Sequence, residues 1–93
     1  EIWNDFSVEI ISKLDSPIKN SLEILEISKS ISEKLEIYQQ IYLVNLIQNI
    51  WWRKTKNIDL IKKLENLKYL LRQNIQPRLA WEVTFLKISI QHI

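Results

Sequence analysis

The sequence predicts an all-α fold, a compact bundle of about five helices, from three observations. Apolar residues recur at helical spacing along most of the chain, with short polar breaks between the runs. The 93 residues include no glycine, although primed-turn hairpins and phosphate-binding loops depend on that residue. Both prolines stand where a new helix would begin. Together these observations argue against a sheet and against a nucleotide-binding loop.

The first two helices are predicted from apolar spacing and from one capping signal. A first helix over about residues 2–14 would have an apolar stripe formed by Trp3, Phe6, Ile10, Ile11 and Leu14. Ser16 as N-cap and Pro17 at the first helical position predict the start of a second helix. The inward stripe of this helix would consist of Ile18, Leu22 and Leu25, widened by Ile24 and Ile27.

Three further helices follow. Ser30 and Glu33 fit a capping box, which predicts a third helix from there to about residues 52–54. Its inward face would carry Leu35, Tyr38, Tyr42 and Leu46, flanked by Ile37, Ile41 and Val44. After a polar break at residues 55–57, a fourth helix over 58–73 would turn inward Leu60, Leu64, Leu67 and Leu71. A fifth helix would begin at Pro77 and turn inward Leu79, Val83, Leu86 and Ile90.

Charge is distributed unevenly along the chain. Residues 1–50 hold eight acids and four lysines, a net charge of −4, whereas residues 51–93 hold nine basic residues and three acids, a net charge of +6. The basic residues after the tryptophan pair are candidate nucleic-acid contacts: Arg53, Lys54, Lys56, Lys62 and Lys63. Cations beside aromatic rings are typical of nucleic-acid surfaces. The simpler interpretation is the solvated face of amphipathic helices.

Adjacent Trp51 and Trp52 point about 100° apart on a helix, so both cannot face the same core. We expect Trp51 and Trp81 in the core because they lie near the apolar stripes of their helices. For Trp52, two positions stay open: the core, or an exposed groove or subunit contact. Trp52 is therefore the candidate interface residue.

The sequence offers no arrangement typical of catalysis or of metal binding. Its one histidine is His92, and it has no cysteine. The carboxylate pairs Glu23–Glu26 and Glu33–Glu36 lack further ligands, and no nucleophile has a base and an orienting group. The most apolar stretch, residues 37–52, is interrupted by Gln and Asn, whereas a membrane span needs about 20 nearly unbroken apolar residues. We expect a non-catalytic domain without catalytic, cofactor or metal residues.

Residues 74–82 read Asn-Ile-Gln-Pro-Arg-Leu-Ala-Trp-Glu. This stretch resembles the N-x-N-P-R-L-A-L-E signature of the delta-prime subunit family of the bacterial DNA polymerase III clamp loader. The signature residues here are Asn74, Pro77, Arg78, Leu79 and Glu82, with Trp81 where the family has leucine. Residues 43–53 are similar to the family's L-x-x-L-L-x-x-W-L-R-D helix, where Arg53 matches and Lys54 replaces the acid. Arg78 and Glu82 could pair across one turn of the last helix.

The resemblance implies that residues 1–93 are a single helical collar domain. Because the chain starts at Glu1 rather than Met, we expect a C-terminal fragment of a longer subunit of the DNA polymerase III holoenzyme. Such a collar is a non-catalytic oligomerisation domain that contacts the gamma/tau and delta subunits and supports loading of the sliding clamp in DNA replication. The resemblance implies a cytoplasmic protein that meets DNA only indirectly and uses no cofactor, small-molecule substrate or membrane.

Three alternatives remain open. One is the collar of the related gamma/tau subunit. Another is a stand-alone helical nucleic-acid-binding domain that uses the basic second half, which would bind DNA or RNA with a steep salt dependence. The last is a generic helical adaptor, which would neither bind nucleic acid nor assemble with loader subunits.

Overall fold

Five α-helices make up the part of the chain that the computed structural model describes, which is residues 2–15, 20–73 and 75–91. They are α1 (Ile2–Lys13), α2 (Ser21–Lys34), α3 (Ile37–Thr55), α4 (Ile58–Arg72) and α5 (Pro77–Gln91). These residues contain no strand, so the predicted all-α fold is confirmed. Within the same residues, no helix combines the length and the apolar character that crossing a membrane requires.

Side-chain caps set the starts of α2 and α3. The Oδ1 atom of Asn20 accepts from the Glu23 N–H at 3.2 Å, and α2 begins at Ser21. The predicted start at Ser16 and Pro17 lies outside the described residues.

The capping box predicted at Ser30 and Glu33 is wrong, because both residues lie inside α2. A serine three residues before a glutamate also occurs in helix interiors, and the backbone leaves the helical region only at Leu35, with ψ of 142°. The chain then re-enters a helix at Glu36, whose N–H donates to Gln39 Oε1 at 2.9 Å. The third helix therefore starts about seven residues later than the Ser30 pattern indicates.

The break between α3 and α4 falls at the predicted residues. Lys56 adopts a left-handed conformation with φ of 52°, and its N–H donates to the Trp52 carbonyl oxygen at 2.9 Å. Glycine usually fills this position, and a chain without glycine places lysine there. Asn57 then caps α4, with its Oδ1 accepting from the Leu60 N–H at 3.1 Å. The last helix begins at Pro77, as predicted.

Helix α5 packs against both α2 and α4, and α3 packs against α4. The buried apolar side chains form one core cluster: Phe6, Ile10, Leu14, Ile24, Ile27, Ile31, Leu35, Leu43, Val44, Ile47, Trp51, Leu60, Leu64, Leu67, Leu71, Ala80, Trp81, Phe85 and Ile88. The stripes predicted for α1 and α4 are confirmed at the residues described. The side chain of Trp3 and all of Ile18 lie outside the described residues.

The inward faces predicted for α2, α3 and α5 agree only in part with those observed. Ile24, Ile27, Leu35 and Val44 are buried as expected. The predicted inward residues that are exposed are Leu22, Leu25, Tyr38, Tyr42, Leu79 and Ile90. Leu46, Val83 and Leu86 are only partly buried. These helices carry apolar residues on more than one side, so the apolar pattern alone does not choose the buried one. On α5 the choice favours Trp81 and Phe85, since large aromatic side chains bury the most area.

Candidate assembly surface

The buried side of the α5 start connects three parts of the fold. Trp81 is fully buried, and its indole N–H donates to Gln40 Oε1 at 2.8 Å. Gln40 is also buried, and its Nε2 donates to the carbonyl oxygen of Leu35 at 2.9 Å. Trp81 on α5 is thereby joined through α3 to the turn that follows α2. The expected core position of Trp81 is confirmed.

The outer side of the α5 start carries the other signature residues. Arg78 donates through Nε to Glu82 Oε2 at 2.9 Å, which confirms the pairing across one turn. Leu79 is about half exposed, and Pro77 is partly buried. Asn74 lies outside the described residues. The α5 start therefore has one face that holds the core and another, with Arg78 and Leu79, that is open to solvent.

Trp51 is fully buried, which confirms the core position expected for it. Its indole N–H donates to the Leu14 carbonyl oxygen at 2.7 Å and so fixes the end of α1 against α3. Phe85 has its ring centroid 6.2 Å from that of Trp51 and 5.4 Å from that of Trp81. The two tryptophans thus pack on one phenylalanine, and the indole N–H of each donates to an acceptor inside the protein.

Trp52, by contrast, is 38% exposed. It lines an open groove of about 360 Å³ at the junction of α3 and α4, called the Trp52 groove below. The other lining residues are Ile58, Ile61, Lys62 and Glu65. The sequence points to Trp52 and Lys62 but not to the two isoleucines or Glu65, because only the turn at residues 56–57 brings the start of α4 beside the end of α3.

The polar edge of the Trp52 groove is formed by Glu65 and its partners. Glu65 Oε1 accepts from Lys68 Nζ at 2.9 Å and from Gln48 Nε2 at 3.1 Å. The hydrogen bond from Lys68, followed by that from Gln48, holds the pKa of Glu65 below its usual range. Lys68 is itself buried and also donates to Asn45 Oδ1 at 2.7 Å. The carboxylate that lines this groove is therefore stabilised in its ionised form and is already paired.

The basic residues predicted to contact nucleic acid do not all share one surface, and their neighbours differ. Lys54 Nζ lies 2.6 Å from Asp15 Oδ2. Lys56 Nζ lies 5.1 Å above the centroid of the Trp52 ring, within cation–π range. Arg53 is exposed beside Trp52. Lys62 and Lys63 line a second groove, between α4 and α5 and of about 280 Å³, to which α5 adds Lys87. Nucleic-acid contact by these residues stays a prediction.

The paired carboxylates of α2 occupy a different place. Glu23 and Glu26 line a groove between α1 and α2, together with Lys13 and Lys34 from its two sides. Among the residues that the structure describes, no three His, Cys, Asp or Glu side chains come together as metal ligands. The surface features with the clearest chemistry are therefore the Trp52 groove and the lysine-lined groove between α4 and α5.

One comparison with known proteins gives a match. The family model described as the C-terminal domain of cyanobacterial DNA polymerase III delta prime matches residues 1–88. The matched range contains the Trp52 groove, the α5 start and the buried rings of Trp51, Trp81 and Phe85. No curated protein and no solved structure matches the chain.

Proposed function

The chain belongs to the family of cyanobacterial DNA polymerase III delta prime C-terminal domains, and from that membership we propose that it is a non-catalytic collar domain. In this proposal residues 1–93 form the collar of a longer clamp-loader subunit in the cytoplasm. The collar contacts the gamma/tau and delta subunits, and the assembled loader places the sliding clamp on DNA. Membership in a delta-prime family favours this subunit over the gamma/tau alternative.

The observation that carries the proposal is the family match over residues 1–88. The surface of the bundle supports it. Large apolar side chains that are at least a third exposed occur on every helix, including Val8, Leu25, Tyr38, Trp52, Ile58, Tyr69 and Leu79. Permanent subunit contacts bury surface that is more apolar than ordinary protein surface. A collar between two neighbours uses such side chains in its contacts.

The direct test deletes this region from the full-length subunit. The deleted subunit is mixed with its gamma/tau partner and run on size exclusion beside the intact subunit. We expect co-elution to be lost after deletion. Circular dichroism and thermal melting of the truncated subunit test whether the rest of it remains folded. Undiminished co-elution would contradict the proposal, because the contact would then lie entirely outside this domain.

The lysine-lined groove between α4 and α5 favours a second candidate function, nucleic-acid binding. Lys62, Lys63 and Lys87 meet there, with Asp59 as the acid among the lining residues. Phosphate contacts release counterions, so binding through these lysines would weaken steeply with salt. A fluorescent single-stranded oligonucleotide titrated at several salt concentrations tests this function. Binding that loses its salt dependence when the three lysines become alanine would support it, and no binding at low salt would contradict it.

A further inference from the structure

The Trp52 groove has the shape and charge of a docking site for one kind of partner. Resting on the proposed collar function, we infer that this groove binds an acidic amphipathic helix of a neighbouring loader subunit. The apolar side of that helix would lie on Trp52, Ile58 and Ile61, and its acids would face the lysines at the edge. The inference adds to the proposed function a particular face of the molecule and a particular partner chemistry.

The floor of the groove is apolar and accessible. Ile58, the first residue of α4, is 59% exposed, and Trp52 is 38% exposed. Ile61, about one turn further along α4, is partly buried and also lines the groove. Tryptophan is enriched among the residues that dominate protein interfaces. Covering this floor with another apolar surface would therefore be favourable.

The docking face continues along α4 beyond the groove. Ile58, Lys62, Glu65 and Tyr69 follow one another at spacings of four, three and four residues, and all are exposed. Such spacings put side chains on one side of a helix. The eleven residue steps from Ile58 to Tyr69 extend over about 16 Å at the helical rise per residue. A face of this length fits about three turns of a partner helix, which is the helix-in-groove mode of recognition.

The charges at the edge select an acidic partner. Lys62 lines the groove, and the Lys56 ammonium lies over the Trp52 ring. The carboxylate of Glu65 does not offset these lysines, because Lys68 and Gln48 already hold it. Acids that flank apolar residues on the partner would meet this edge with complementary charge, whereas a basic helix would be repelled.

Two pairs of substitutions in the full-length subunit test the inference. Ile58→Asp puts a charge on the apolar floor, and Leu22→Asp is its matched control, since the two side chains are 59% and 64% exposed. Lys62→Glu reverses the charge at the edge, and Lys29→Glu does the same on an exposed position of α2. Affinity for the gamma/tau subunit and for the delta subunit is measured separately at two salt concentrations. Circular dichroism confirms that each variant is folded.

We expect Ile58→Asp to weaken one of the two pairings about tenfold or more, as loss of a central interface residue does. The controls should stay within about twofold of the unchanged subunit, as exposed substitutions outside an interface do. Lys62→Glu should weaken the same pairing, and its effect should shrink at high salt because added ions screen surface charge. Trp52→Ala should act on that pairing as well.

Several results would overturn the inference. If Ile58→Asp leaves both pairings intact while deletion of residues 1–93 abolishes assembly, the groove is not the docking site although the collar function stands. If the deletion also leaves assembly intact, the collar function itself fails. A loss caused equally by Leu22→Asp would show a nonspecific effect. If Lys62→Glu strengthens the pairing that Ile58→Asp weakens, the partner is basic and the proposed chemistry is wrong.

Discussion

Trp81 and Gln40 are 41 residues apart in the sequence and hydrogen-bonded in the core, with 2.8 Å between the indole Nε1 and the amide Oε1. Gln40 uses its other amide atom, Nε2, to reach the carbonyl oxygen of Leu35 at 2.9 Å. Both side chains are buried, so water cannot replace either partner at low cost. Gln40 therefore satisfies one donor and one acceptor that belong to two different parts of the fold.

Replacing Gln40 with leucine should be strongly destabilising although the volume is nearly unchanged. Gln40→Leu leaves the Trp81 N–H and the Leu35 carbonyl unpaired, and we expect a loss of about 2–4 kcal/mol in the free energy of unfolding. Urea denaturation followed by circular dichroism measures it. Asn49→Leu, at an exposed position of the same helix, is the control. A loss at Gln40 no larger than in the control would mean that the buried bonds contribute little.

Truncation of Trp81 tests the packing around this bond. Trp81→Ala removes a fully buried aromatic side chain whose ring centroid lies 5.4 Å from that of Phe85. The expected loss is about 3–5 kcal/mol, the usual range for deleting a large buried aromatic. Tyr38→Ala, at a side chain that is 72% exposed, should change stability by no more than about 0.5 kcal/mol. A loss below about 1 kcal/mol at Trp81 would contradict its burial.

Helix α4 shows what the sequence can specify. Its four inward leucines lie on one narrow stripe, whereas Ile58 and Tyr69 on the outer side are separated by Lys62 and Glu65, so the leucine side is the one that buries a continuous apolar surface. Pro77 likewise marks the start of α5, because proline suits the first helical position and no later one. In both cases the deciding signal is local, and the predictions made from it are confirmed.

Helices α3 and α5 show where the local pattern stops deciding. Tyr38 and Tyr42 match the helical period as well as Leu43 and Ile47 do, yet only the latter two are buried. The buried side of α3 is the one that carries Gln40, whose partner Trp81 lies on another helix. The residues around position 40 do not predict that Gln40 will bond to Trp81. Packing between helices, rather than the local pattern, therefore decides which face of α3 is buried.

The candidate site was accessible from the sequence only in part. Trp52 could be singled out because a helix cannot bury it together with Trp51. Ile58 and Ile61 belong to the next helix, and their place beside Trp52 depends on the left-handed turn at Lys56. Lys87 joins Lys62 only through the packing of α5 on α4. The residue types were visible, but the grooves that they form depend on how the helices meet.

Removing the hydroxyl of Ser28 should stabilise the protein. Ser28 is fully buried, and its Oγ has no hydrogen-bond partner among the described residues. Ser28→Ala removes the unpaired polar group and improves helix propensity, for an expected gain of about 0.5–1.5 kcal/mol. Ser32→Ala is the control, because its Oγ already bonds to the Lys29 carbonyl oxygen at 3.0 Å. Thermal melting compares the two, and a lower melting temperature for Ser28→Ala would refute the expectation.

The pKa of Glu65 should respond to its lysine partner. The hydrogen bond from Lys68 is the largest cause of the lowered pKa, so Lys68→Met should raise that pKa toward 4.5. Gln48→Ala should raise it less, and Lys29→Met, on a different helix, should leave it unchanged. Carboxyl-carbon NMR titration of Glu65 measures these shifts. An unchanged pKa in Lys68→Met would show that the bond does not persist in solution.

The hydrogen bond between Lys68 and Glu65 should also make the free energy of unfolding depend on pH. The pKa of Glu65 is lower in the folded than in the unfolded protein. Ionised Glu65 therefore contributes fully to the free energy of unfolding above about pH 4.5, and this contribution is lost as the pH falls through the pKa of the folded state. The carboxylate is 62% exposed, so solvent screening limits the contribution to below about 1 kcal/mol. Unfolding of the unchanged protein and of Glu65→Gln should therefore differ at pH 7 and converge in acid. A difference that grew on acidification would have the wrong sign.

The hydrogen bond from Trp51 to the end of α1 should control the local stability of that helix. Trp51→Phe keeps an aromatic ring beside Phe85 but leaves the buried Leu14 carbonyl without its donor at 2.7 Å. The unpaired carbonyl should cost about 1–3 kcal/mol. Amide hydrogen exchange should accelerate more in α1 than in α4, because the lost bond joins the end of α1 to α3 and does not involve α4. Lys54→Met is the comparison, since it breaks the exposed contact with Asp15 at the same junction and should cost less than about 1 kcal/mol. Equal acceleration in α1 and α4 would mean that α1 is not held by this bond but unfolds only with the whole bundle.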